Sequence, residues 1–310
     1  MPKSKSLLIL GEIARNAVMA VPVVSRWRSR QGRTSVQVDR IDEGFLRRYA
    51  YLPYETVSDR LGDSGLEGLT VGEIGPGDHI PAALLFLGAG AESYACYDRF
   101  AGDLAGANAK AIYRALMDDL RRERPSLAQR LQARGIDPDR FPEAFSGLVR
   151  VVTKPIETIE DDEHGRLDLL TSYNVVEHVY DIPAFAAQTL RMLRPGGLAI
   201  HRVDFGAHGK WEEQANPLEW LTVPDGIWTL MGSRRGTPNR WRFHEVRDEL
   251  TRAGFEVDAE ESDFFDDGDL ASIRPALGPR IRAMPDASLR VKTACFYCRR
   301  PAEQAGPSPR

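Results

Sequence analysis

The sequence predicts an α/β fold, a doubly wound and mostly parallel sheet with helices on both faces. Three observations predict it. From about residue 69, short apolar runs rich in β-branched and aromatic residues alternate with longer amphipathic stretches. The first run stops at the turn Gly75-Pro76-Gly77, and Asp98 closes the second run 21 residues after Gly77. The composition, 310 residues with 42% hydrophobic and 28% charged, is that of a globular chain long enough to bury a core without staples. Three cysteines cannot build a disulfide framework, which sets the expectation of a reducing, cytoplasmic setting. A net charge of −4 excludes the global basicity of a nucleic-acid binder.

The elements follow in order. LTVGEI (69–74) reads as a buried strand, and Asp78 is the expected N-cap of the helix in PAALLFLGAG (81–90). ESYACYD (92–98) is a second strand. Residues 103–146 form a helical insertion with breaks at Pro125 and Gly135-Ile136-Asp137-Pro138. LVRVVT (148–153) and LDLLTSY (167–173) are the third and fourth strands. A helix from Ile182 to Leu193 ends at Arg194-Pro195-Gly196-Gly197, and LAIHRVDF (198–205) is the fifth strand. GFEVDAEE (254–261) and LRVKTACFYC (289–298) complete the set around an inserted segment. The organisation is therefore an N-terminal helical extension (1–65), a main domain (66–300) carrying a lid at 209–241, and a disordered tail (301–310).

Residues 7–24 are mostly apolar, with Lys3 and Lys5 before them and Arg26, Arg28, Arg30 and Arg33 after. Glu12, Arg15 and Asn16 interrupt the stretch, which suits neither a secretory signal nor a membrane span. It reads as an amphipathic helix. Packing against the domain is the favoured reading, with peripheral membrane contact as the alternative. Cys295-x-x-Cys298 lies on a strand, where the two thiols face opposite sides and cannot chelate zinc together.

Glu73-x-Gly75-x-Gly77, Asp98, the run Asp168 to Val179 containing Asn174 and Glu177-His178, and Leu193-Arg-Pro195-Gly196-Gly197 resemble class I S-adenosylmethionine-dependent methyltransferases. A nicotinamide fingerprint would place a third glycine at position 80, which is isoleucine. The resemblance implies seven strands with an antiparallel last one, and the cofactor lying over the ends of the first, second and fourth strands. It further implies that Glu73, Gly75 and Gly77 flank the methionine moiety, that Asp98 holds the ribose and that Asn174 sits by the methionine end. Glu157 is the adenine-side candidate, with Lys154 in its place in a second register. His79 departs from the small residue usual in that loop.

Methyl transfer to a hydroxyl needs a base, and histidine is the natural choice. The candidates are His208, His201 and His178, with Asp204 as the orienting acid. Strand alternation puts His201 and Asp204 on opposite faces, and a bend at Phe205-Gly206 would bring Asp204 to His208. His201, Asp204 and His208 could otherwise hold a divalent metal, a reading not favoured. Glu177-His178 recurs in the family and is equally an architectural pair. Residues 209–241 hold Trp211, Trp220, Trp228 and Trp241 beside Arg234, Arg235, Arg240 and Arg242. Aromatic faces and arginine forks suit a lid over a small or glycan-like, anionic acceptor, and an aromatic subcore is the competing reading. Asn216-Pro-Leu-Glu-Trp220 and Asn239-Arg-Trp-Arg242 are similar to methyltransferases encoded with bacterial surface-glycan genes. The expected activity is O-methylation, with N-methylation of an amine or a non-catalytic cofactor-binding partner as alternatives. The sequence leaves oligomeric state open.

Overall fold

A computed structural model of the chain describes residues 4–19, 41–99, 101–232 and 237–302. The basic residues expected to flank the first helix at 3 and 26–33, Arg234 and Arg235, and most of the tail lie outside these. The apolar runs form one sheet from β1 (Thr70–Ile74), β2 (Ser93–Tyr97), β3 (Val149–Val152), β4 (Leu167–Tyr173), β5 (Leu193–Asp204), β6 (Glu256–Phe264) and β7 (Val291–Arg299). Their spatial order is β3-β2-β1-β4-β5-β7-β6. Strands β1 to β5 pair in parallel, and β7 runs antiparallel between β5 and β6. This is the expected doubly wound fold, and the order reverses between β1 and β4, where such sheets bind ligands.

The helices used below are α1 (Lys5–Met19), α2 (Leu52–Leu61), α3 (Pro81–Gly88), α4 (Ala107–Glu123), α5 (Pro125–Ala133), α6 (Ile182–Met192), α7 (Asp225–Gly232) and α8 (Phe243–Ala253). Helices α2 to α5 cover one face, where Tyr54, Val57, Phe86, Tyr113 and Leu116 share a core with Val71 and Ile200. Helix α2 continues a helical path through Glu43–Leu46 and a π turn, Arg47–Tyr51, so Leu46 and Ala50 enter the same core. Every residue of α3 is buried, which its unbroken apolar sequence requires. On the other face, Phe185 and Ala186 of α6 and Val246 and Leu250 of α8 pack on Leu170 and Val203.

A third, smaller core lies beside these. Trp211, Trp220 and Trp228 gather there with Leu8 of α1 and with Leu270, Ile273, Leu277, Ile281 and Leu289 from the β6–β7 connection. The competing subcore reading therefore describes three of the four tryptophans; Trp241 packs instead on the α6–α8 core.

Two local expectations need correction. Asp78 does not cap α3, because the chain turns in at Ile80 and the helix opens on Pro81, whose missing N–H needs no partner. Strand β5 begins at Leu193 rather than 198. The Arg194-Pro195-Gly196-Gly197 turn is drawn into the sheet, since Leu193 pairs with Leu167 and the Gly196 amide donates to Arg300 O at 3.0 Å.

Candidate active site

The glycine turn after β1 sits at the sheet's carboxyl edge. Gly75 and Gly77 both have left-handed backbones, with φ of 70° and 82°. A Cβ on Gly75 would lie 2.7 Å from the Val175 side chain, so this close approach needs bare backbone. The turn is tied to the end of β2. The Gly75 amide donates to Tyr97 O at 2.8 Å, and the Gly77 amide donates to Asp98 Oδ2 at 2.9 Å. Glu73, the last inward residue before the turn, is buried and accepts a hydrogen bond from the Tyr94 hydroxyl. Burial, with Asp98 adding to it, pushes its carboxyl up to about 8.

Above this turn stands an aromatic wall. His79 is buried edge-on between the rings of Phe45 and Tyr49, at centroid distances of 5.5 and 5.2 Å. Neither ring nitrogen has a hydrogen-bond partner among the described residues, and burial lowers its pKa to about 4. The imidazole is neutral at pH 7.

The tips of β4 and β5 form the second half of the site. Asn174 follows β4 with φ of 56°, and its Oδ1 accepts from Arg202 of β5 at 2.5 Å. The Arg202 guanidinium lies 4.8 Å over the Tyr173 ring. Asp204 ends β5; its Oδ1 accepts from the Gly206 amide at 2.7 Å, and its Oδ2 faces His208 Nε2 at 3.7 Å. Burial opposes the Asp204 charge, but His208, the Gly206 amide and Arg202 outweigh it and hold its carboxyl below the ordinary value. The His178 and His208 rings lie 4.9 Å apart. Arg242, fully buried, pins the bend by donating to Phe205 O at 2.7 Å and to Val291 O at 3.0 Å.

The expected bend at Phe205-Gly206 thus brings Asp204 to His208. It does not bring His201, which is fully buried on the opposite face, 2.8 Å from the Ser172 hydroxyl and edge-on to Phe185. Burial lowers its pKa to about 3. The metal-ligating grouping changes accordingly. One ligand atom each from Glu177, His178 and His208 lies within 4.8 Å of the others, with His201 excluded. Among the described residues neither oxygen of the buried Glu177 has a hydrogen-bond partner, and burial raises its pKa well above the ordinary value.

Beyond β3, Glu157 is half-buried in the turn Ile156–Thr158, while Lys154 is engaged by Glu160. The second register is therefore occupied by an ion pair. Arg240 donates to Val223 O and Asp225 and lies 5.3 Å over Trp228, so its fork is spent inside the protein, as is that of Arg242. Arg202 and Tyr173 escaped the sequence reading. The alternation that separates His201 from Asp204 also sets Arg202 on the Asp204 face, and that was the available signal.

A family model described as a methyltransferase domain matches residues 46–260. A ubiquinone biosynthesis O-methyltransferase from Bradyrhizobium sp. (strain ORS 278) is 32% identical over 96 residues, which is 31% of this chain and 34% of that enzyme. Among solved structures, an S-adenosylmethionine-dependent methyltransferase from Mesorhizobium loti aligns at 16% identity with a TM-score of 0.42, over 76% of this chain and 92% of that one. Phosphoethanolamine N-methyltransferase 2 of Haemonchus contortus, solved with S-adenosyl-L-methionine, aligns at 13% identity with a TM-score of 0.41, over 86% and 61%.

Proposed function

The chain belongs to the methyltransferase-domain family and is an S-adenosylmethionine-dependent enzyme; from that premise we propose that it methylates a hydroxyl oxygen of a small or glycan-like acceptor, with His208 as the base. The observation that carries the reading is the Asp204–His208 pair at the tip of β5, 3.7 Å apart and aligned by the Gly206 amide.

The residues present fit the cofactor. The left-handed backbones of Gly75 and Gly77 and the close approach of Val175 keep side chains out of the turn, and Asp98 sets a carboxylate beside it that suits ribose hydroxyls. Asn174 would border the methionine end, and half-buried Glu157 would border the adenine. S-adenosylmethionine supplies, when bound, an electrophilic methyl group on a sulfonium. The chain's own work is then to orient the acceptor and to take its proton. Asp204 Oδ2 faces His208 Nε2, which leaves Nδ1 to accept the proton of the acceptor hydroxyl. Arg202, stacked on Tyr173 and fixed by Asn174, adds positive charge beside that point and favours an anionic acceptor. The ubiquinone O-methyltransferase likeness supports oxygen over nitrogen, although it spans only 34% of that enzyme. His201 is left without a catalytic part in this reading.

The test is transfer of labelled methyl from S-adenosylmethionine to a panel of phenols, sugar alcohols and amines. The proposal expects O-methyl products and no loss of rate with a chelator. Methylation of amines alone would overturn it. Loss of rate on chelation, restored by manganese, would support a second reading in which Glu177, His178 and His208 hold a divalent ion.

A further inference from the structure

Helix α1 packs on the domain as expected, through a mixed face on which Leu8, Ile9 and Ile13 join the third core beside Glu12 and Asn16. Its buried residues are Leu8, Glu12 and Asn16. Polar partners explain this choice: Asn16 Nδ2 donates to Leu230 O at 2.9 Å, and Lys5 Nζ pairs with Glu219 at 2.6 Å. The face left outside is apolar as well. Leu7, Leu10, Gly11, Ala14, Ala17 and Val18 are all exposed, and they recur at the three- and four-residue spacing of a single helical stripe. Leu7 is 64% exposed, Leu10 63% and Val18 55%, and Leu230 of the adjoining α7 adds another at 59%. These are four of the seven highly exposed large apolar side chains among the described residues, and their gathering on α1 and α7 marks a contact surface.

Charge says what covers it. Residues 1–38 contain seven lysines and arginines against a single acid, Glu12, whereas the rest of the chain carries 34 basic and 44 acidic residues. Glu12 is itself buried and paired with Arg15 at 2.7 Å. Glu219 is paired with Lys5, and Asp225 at the start of α7 with Arg240. Trp27 stands between Arg26 and Arg28 in the same basic stretch, a composition suited to a lipid headgroup layer. No helix among the described residues is long and apolar enough to cross a membrane. A short apolar stripe in a strongly basic segment matches a helix that lies on a membrane rather than through it.

We propose that α1 docks the enzyme on an anionic lipid surface, with Leu7, Leu10 and Val18 entering the acyl boundary. The surface is remote from the acid–base pair in sequence and independent of the acceptor assigned above.

The test is co-sedimentation of the full chain with phosphatidylcholine vesicles, with and without phosphatidylglycerol. The proposal expects binding only when phosphatidylglycerol is present, and weakening at high salt. The combined substitution Leu7→Glu, Leu10→Glu and Val18→Glu should cut binding by about tenfold or more while leaving the melting temperature nearly unchanged, because these side chains are mostly exposed. Leu10→Lys supplies a second arm. It should also weaken binding despite its added positive charge, whereas purely electrostatic adsorption would strengthen it and overturn the proposal. Absence of binding, or equal binding by the triple variant, would overturn it as well. So would a stable wild-type dimer that the triple variant converts to monomer without any vesicle binding, since a second copy of the chain would then be the occupant.

Discussion

Asp98 carries two loads at the tip of β2. It holds the glycine turn through the Gly77 amide, and it is the residue suited to the ribose. Asp98→Ala should weaken S-adenosylmethionine by about 1.5–3 kcal/mol, the range for hydrogen bonds to a charged group. Calorimetry showing unchanged affinity in a folded variant would remove Asp98 from the site. Glu73 bears on pH instead. Its carboxyl is raised from 4.5 to about 8 by burial first and Asp98 second. The folded state therefore holds this proton more tightly than the unfolded chain does. Its contribution to stability is full below about pH 4.5 and is lost as pH rises through about 8. Glu73→Gln keeps the shape and removes the titration, so its melting temperature should fall less steeply on the alkaline side than that of the parent. Some fall should persist, because burial raises Glu177 in the same direction. Parallel melting curves across pH would show that Glu73 is not the buried proton holder. The residues that give this behaviour were legible as a motif, since Glu73, Gly75, Gly77 and Asp98 stand in sequence order around two strand ends. The electrostatics were not, because Tyr94 and the depth of burial come only from folding.

At the scale of elements, the sequence is most readable in its apolar runs, although the Pro195-Gly196-Gly197 turn proved to be part of β5. All seven strands lie close to their expected runs, and β4 matches its run at both ends. It is least readable where an element chooses between two partners. The stripe of α1 from Leu7 to Val18 would go inward by pattern alone, yet Leu8, Ile9 and Ile13 take the third core, helped by a carbonyl at Leu230 and a carboxylate at Glu219. Residues 209–241 pose the same difficulty. Tryptophan and arginine are the right composition for a lid and equally for a subcore. The partners that decide, the carbonyls of Phe205 and Val291 for Arg242, lie tens of residues away in the chain. By contrast, the separation of His201 from Asp204 was legible, because strand alternation is a fixed geometric rule. Its consequence is that Ser172 and Phe185 claim His201 for the core.

At the scale of the whole molecule, the topology does the functional work. Parallel strands deliver Gly75, Asp98, Asn174 and Asp204 to one edge of the sheet, and the order reverses between β1 and β4, where such sheets bind ligands. The cofactor candidates follow β1 and β2, with Asn174 after β4, and the Asp204–His208 pair lies at the end of β5. Damage to one group should therefore leave the other intact. The most direct measurement is the turnover of His208→Ala on an identified hydroxyl acceptor, set beside its calorimetric affinity for S-adenosylmethionine. The account predicts turnover lower by about 10²–10⁴-fold with cofactor affinity near that of the parent. Near-normal turnover in that variant would contradict it.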